Sequence, residues 1–214
     1  MPNRADAATA LLVVLVLTSG CIGFITGQEA LELEAQKALT EESVAADAGY
    51  ELNETRSLVI ERNLTFAGVT RQVRVTNWVS TYDKSVEIPV LGEYKLAMFG
   101  VISTPAVEVA GEARNPIGDY SNDQLIRLFA SRYESLSNTQ RVGSQNVTAL
   151  GTETRVTKYE ATTTVQGREI DVYAHVTKLR HESDYVIAVG IYPKLLDGEE
   201  QNVLDMMRAI EHPA

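Results

Sequence analysis

Cysteine is nearly absent from this chain. A single thiol, Cys21, serves 214 residues, which excludes an intramolecular disulfide and any zinc cluster built on cysteines. Lysine is also scarce, with six residues at 37, 84, 95, 158, 178 and 194 against thirteen arginines. There are three histidines (His175, His181 and His212), and none has ligand spacing to another along the sequence. No Gly-x-Ser-x-Gly elbow, glycine-rich phosphate loop or paired helical histidines occur. Basic charge is outweighed: the net charge is −10 and the isoelectric point about 4.8. Nucleic-acid phosphates need a basic face, so nucleic acid is excluded as a partner.

The chain does carry a leader. Arg4 precedes the apolar run Ala7 to Leu17, and Leu17-Thr18-Ser19-Gly20-Cys21 closes it with small residues. This pattern resembles a lipobox, where a prolipoprotein is cut and the new N-terminal cysteine is lipidated. Small side chains let a peptidase hold an extended backbone, and sulfur forms the thioether to lipid. Thr18 stands where Leu is usual, and Asp6 lies in a region that is normally basic. Two alternatives stay open. Ala7 to Gln28 carries no charge and is long enough for a retained membrane helix, although Gly20, Gly23 and Gly27 weaken it. An ordinary signal peptide would release the body. All three readings place the body outside the cytoplasm.

The expected organisation is a leader over 1–21, a mobile tether over 22–38, and a single α+β domain over 39–214. Hydrophobic residues make up 44%, enough for a real core. Within the tether, Leu31, Leu33 and Ala35 alternate with polar residues as an edge strand would. Thr40 reads as the N-cap of a short helix closed by Gly49. Residues 56–66 and 69–84 alternate on either side of Ala67-Gly68 and predict a hairpin. On its second strand Val73, Val75, Asn77 and Val79 share one face, and Arg74, Thr76 and Trp78 the other. Residues 95–109 predict a central strand interrupted at Pro105. Ser121 and Gln124 form a capping box, followed by Leu125, Leu128, Phe129, Tyr133 and Leu136 at helical spacing. Strands over 144–150, 153–165, 168–179 and 185–192 then make a meander. Gly190 marks a close approach within the last of these. Asp197 and Glu200 predict the cap of a terminal helix with a Val203, Leu204, Met207, Ile210 stripe. This order predicts an antiparallel sheet of about six to eight strands with two main amphipathic helices packed on it.

Candidate sites follow from these placements. Cys21 is the lipidation site. Asn53, Asn63 and Asn146 head Asn-x-Ser/Thr sequons, which are glycan acceptors in an exported chain. Arg74, Trp78 and Tyr82 form a candidate binding patch on the outer hairpin face. A competing expectation covers Trp78 with the tether or a helix. His175 alternates onto a polar strand face with Asp171, where a solvated surface is the plain reading and a metal or acid–base pair the sharper one. No catalytic residue, metal or cofactor is assigned.

Several segments carry a resemblance: the Cys21 leader, Val73-Arg74-Val75-Thr76-Asn77-Trp78, Tyr82-Asp83-Lys84-Ser85, Ser103-Thr104-Pro105, Asp171-Val172-Tyr173-Ala174-His175-Val176 and Ala188-Val189-Gly190-Ile191-Tyr192-Pro193. With these the chain resembles a haloarchaeal surface lipoprotein family of unknown function. Acid excess with few lysines fits such a source, because dense carboxylates keep a surface hydrated in salt. The closing strand, proline and terminal helix are similar to the fold of the photosystem extrinsic subunit and of a mycobacterial lipoprotein family. The resemblance implies export and membrane attachment through lipid on Cys21, and it implies no activity; a membrane or envelope protein is the partner expected of a domain anchored in this way. The expected function is therefore a non-enzymatic binding or accessory domain at the cell surface. A carboxylate-dependent extracellular hydrolase and a solute-capture lipoprotein are the alternatives.

Overall fold

The computed structural model describes residues 31–66, 69–88, 92–109, 112–113, 115–132, 136–165 and 167–213. The leader with Cys21, tether residues 22–30, the Ala67-Gly68 turn, Pro89, Tyr133 and Gln166 lie outside them. The chain is mostly β. The strands are β1 (Leu31–Glu34), β2 (Leu39–Thr40), β3 (Glu51–Phe66), β4 (Val69–Ile88), β5 (Gly92–Pro105), β6 (Glu108–Val109), β7 (Glu112–Ala113), β8 (Leu136–Ala149), β9 (Thr152–Val165), β10 (Arg168–His181), β11 (Asp184–Pro193) and β12 (Ile210–Glu211). Among the described residues the α-helices are short: α1 (Glu42–Asp47), α2 (Asn122–Arg132) and α3 (Glu199–Arg208). None of them is long and apolar enough to cross a membrane.

Eight strands form one sheet in the order β1-β4-β5-β11-β10-β9-β8, with β3 also paired to β4. The β4–β5, β5–β11, β11–β10, β10–β9 and β9–β8 ladders are antiparallel. Contacts divide the chain into two units. Of the described residues, the smaller unit holds 31–33 and 59–75, and the larger holds 34–58 and 76–213.

In the larger unit the alternation of the strands is masked from two sides. On one face Leu125 and Ile126 of α2 pack with Val172, Ala174, Val176, Ile187 and Val189. On the other, Val203, Leu204, Met206 and Met207 of α3 pack with Phe99, Val101, Leu179, Val186, Ala188 and Tyr192. Both faces of the central strands are therefore apolar, as the near-continuous run Tyr185 to Tyr192 suggests. Gly190 is where α3 comes closest: a Cβ there would stand 2.5 Å from Val203 Cγ1.

The turns follow the local chemistry. Leu150 (φ 49°) and Gly151 (φ 71°) both adopt positive φ, the two-residue hairpin geometry that matches strand twist. The Ser121–Gln124 box forms reciprocally. Ser121 N–H donates to Gln124 Oε1 at 2.8 Å, and Gln124 N–H donates to Ser121 Oγ at 3.2 Å. The β5 ladder ends at Pro105, which has no N–H to offer.

Four expectations are corrected. Thr40 does not cap α1. It lies in β2, its N–H donates to Tyr82 Oη at 2.8 Å, and Glu41 precedes the helix without a side-chain cap. Leu136 does not extend the α2 stripe but opens β8 and is buried with the α2 face of the core. Gly198, at φ 79°, stands at the α3 N-cap without a side-chain bond, in place of Asp197. Residues 31–38, assigned to the tether, include β1 and the buried Ala35 and Ala38. Ala35 N–H donates to Thr76 O at 3.0 Å, so strand pairing begins ahead of position 39.

Candidate functional site

A groove of about 700 Å³ opens in the larger unit, lined by Gly49, Glu51, Leu52, Asn53, Asp83, Ser85 and Lys95. Strands β3, β4 and β5 supply its polar walls. Lys95 Nζ pairs with Asp83 Oδ2, so that carboxylate is neutralised at the groove wall. Leu52 is half exposed, at 51%, and gives the groove an apolar contact point. Lys84, between Asp83 and Ser85, turns inward. Its Nζ donates to Ala48 O at 2.9 Å and to Glu199 Oε2 at 2.6 Å. Glu199 is buried at the start of α3, and its Oε1 has no partner among the described residues. Burial first, and then the charge of Glu199, pushes the Tyr50 phenol to a higher pKa.

The expected patch does not assemble as a unit. Tyr82 is 3% exposed and stacks edge-on against Phe99 at 6.2 Å between centroids. The face that starts outward at Arg74 turns inward by Ser80, whose hydroxyl donates to Ala38 O at 2.9 Å. Trp78 is half-buried. Its indole N–H donates to Glu34 Oε1 at 3.3 Å, and Lys37 Nζ lies 4.2 Å above its ring. Glu34 at the end of β1 and Lys37 beyond it thus flank Trp78. Arg74 belongs to the smaller unit, where it pairs with Glu32 at 2.8 Å and Glu61 at 2.9 Å.

All three sequon asparagines are exposed. Asn53 lines the groove. Asn63 lies on β3. Asn146 lies on β8, the last strand of the sheet path, with its Nδ2 donating to Glu153 Oε1 at 3.1 Å.

His175 is not on a solvated face. It is 0% exposed because α3 covers that side of β10, whereas Asp171 is exposed. Its Nε2 lies 3.0 Å from Tyr192 Oη, with the rings stacked, and its Nδ1 has no partner among the described residues. Burial lowers its pKa to about 4, so the imidazole is neutral at physiological pH.

The other two histidines, 31 positions apart, meet. His181 Nδ1 and His212 Nδ1 are 2.9 Å apart, and His212 Nε2 is 3.1 Å from Asp184 Oδ2. That carboxylate oxygen also accepts the Gln36 N–H at 2.7 Å. The turn after His181 places it opposite Asp184 in the β10–β11 register, and β12 leads His212 to the same place. Sequence spacing carried no sign of this, because the contact depends on where the C-terminal segment returns. Among the described residues, no three His, Cys, Asp or Glu side chains form a metal-holding group.

No curated protein matches this chain. A crystal structure of a protein of unknown function from Pseudomonas aeruginosa, PA94, is similar over 63% of this chain and 83% of that one. The identity is 11% and the TM-score 0.28, so the likeness carries no argument. The model of one family, a domain of unknown function (DUF6517), matches residues 37–211. That span includes every residue of the groove, of the His175–Tyr192 contact and His181, and it ends one residue before His212; the chain belongs to this family of unknown function.

Proposed function

We propose that this chain is an exported lipoprotein held at the extracellular face of the membrane by lipid on Cys21, where it acts as a non-enzymatic binding or accessory domain. The observation that carries the proposal is the Leu17-Thr18-Ser19-Gly20-Cys21 segment standing just ahead of the first strand. Residues 22–30 separate Cys21 from β1. A linker of that length reaches at most about 35 Å, so the domain would work close to the bilayer. One acyl chain binds a membrane only marginally, so the anchor requires two chains or a diether-type lipid. The likeness to haloarchaeal lipoproteins, the acid excess and the three exposed sequons support an extracellular position in brine.

The groove is the proposed contact surface for an envelope protein. Its walls present hydrogen-bonding groups of both kinds around exposed Leu52, which suits a polar partner surface with one apolar anchor. A hydrolase reading starts from the same groove, because Glu51 and Asp83 both line it. Asp83 is paired with Lys95, so in that reading Glu51 would be the member that carries the proton. The test is fractionation in the native host at constant high salt. The parent chain is expected in the membrane fraction, where pull-down recovers a membrane protein that Leu52→Asp loses. Cys21→Ser is expected to leave that fraction. Hydrolysis of a substrate panel that disappears in Asp83→Asn would favour the enzyme instead.

A further inference from the structure

We propose that the outer edge of β3, over residues 52–58, pairs antiparallel with the same segment of a second copy of this chain, on a two-fold axis through Thr55. The pairing needs neither lipid on Cys21 nor an occupant in the groove.

The edge is open and regular. β3 pairs with β4 on one side, and among the described residues no strand pairs with its other side. Residues 51–58 are exposed apart from the half-buried Thr55, so little packs over the strand. The segment contains no proline or lysine, residues that ordinarily blunt an edge. Thr55 Oγ1 donates to Ser80 Oγ at 3.2 Å, and Asn77 Nδ2 donates to Leu58 O at 3.0 Å. The two contacts share one register, so no bulge interrupts the strand between them. The sheet's opposite edge, β8, is protected. Its register shifts between Ser137 and Gln140 and again between Arg141 and Gly143, and Asn138 has φ 52°.

The direction of the backbone follows from one bond. A carbonyl reached from β4 points at β4, and Leu58 O is such a carbonyl. By alternation Leu52, Glu54, Arg56 and Leu58 turn their backbone groups toward β4. Asn53, Thr55 and Ser57 present N–H and C=O outward, where a further strand can bond.

The side chains choose the register. With the axis at Thr55, Glu54 faces the second copy's Arg56, Leu52 faces its Leu58 and Asn53 faces its Ser57. Opposite charges and apolar pairs are both favourable directly across a ladder. The charges and leucines fall in the non-hydrogen-bonded pairs, where side chains come closest. Glu54 and Arg56 already approach at 3.4 Å within one copy, so pairing closes a square of four alternating charges. Moving the axis to residue 54 or 56 sets like charges opposite each other. Moving it to 53 or 57 sets a charge opposite a leucine. Pairing also covers Leu52 and Leu58, both exposed on the single chain.

The test uses the full chain with Cys21→Ser, in detergent at constant salt, followed by sedimentation equilibrium and circular dichroism. A reversible monomer–dimer equilibrium is expected. Ser57→Pro removes an outward N–H and no bond to β4, and Ser57 does not line the groove. It should keep the fold and weaken dimerisation at least tenfold. Glu54→Arg should weaken it too, and adding Arg56→Glu should restore it. Oxidation reads the register. Thr55→Cys should form a disulfide dimer, whereas Ser57→Cys, with its two copies offset by about 13 Å along the strands, should not. A monomer at every concentration, a dimer unchanged by Ser57→Pro, a charge swap that fails to restore pairing, or cross-linking of Ser57→Cys as readily as Thr55→Cys would overturn the proposal.

Discussion

Gly190→Ala tests how the terminal helix is seated. An added Cβ would lie 2.5 Å from Val203 Cγ1, 2.9 Å from Cγ2 and 3.3 Å from Cβ. Ordinary contact begins at 3.4 Å, so the gap must open by about 1 Å. Strand β11 cannot yield, because β5 and β10 pair with it on either side. Val203 is wholly buried, and a valine in a helix is held near one rotamer. Helix α3 must therefore shift against Phe99, Val101 and Tyr192. Overpacking of this kind costs about 1–3 kcal/mol. For a chain of this size each kcal/mol lowers Tm by about 2–4 °C. Urea unfolding followed by circular dichroism, with salt held constant, would measure the cost. Val203→Ala should absorb much of it, so the double variant should fall short of the sum of the single costs by about 1 kcal/mol or more. A Gly190→Ala variant within about 0.5 kcal/mol of the parent, or strict additivity with Val203→Ala, would refute the reasoning.

Two further stability predictions concern buried charge. His175 has its pKa lowered from 6.5 to about 4 by burial, so the unfolded chain takes up its proton first. Its contribution is intact above about pH 6.5 and falls as pH drops toward 4, by at most about 3 kcal/mol. His175→Gln should flatten that part of the stability–pH curve relative to the parent, and parallel curves would contradict the assignment. Lys84→Met leaves the Glu199 carboxylate buried and without its cation, at a cost of about 3–5 kcal/mol. Adding Glu199→Met should restore most of the loss in urea midpoint, whereas an equally unstable double variant would show that the ion pair was not the cause.

The alternation of polar and apolar residues made the β3–β4 hairpin and the β9–β11 meander legible, because each strand has at least one consistent face. Capping chemistry identified α2, and the missing side chain of Gly190 identified its close approach. His175 and Tyr82 were misread for a shared reason. Period-two alternation shows which residues share a face, but not whether a helix later covers the other one. Here α3 covers His175, and the turn of β4 toward residues 38–50 buries Tyr82. The histidine pair was illegible for a different reason: its members approach from chain positions 181 and 212, and local spacing has no access to a contact of that range.

The central claim concerns Cys21, and mass spectrometry of the native N-terminus tests it most directly. The account predicts a mature chain that begins at Cys21 with a lipid mass on its sulfur. A chain that retains residues 1–20, with Cys21 bearing a free thiol, would contradict it.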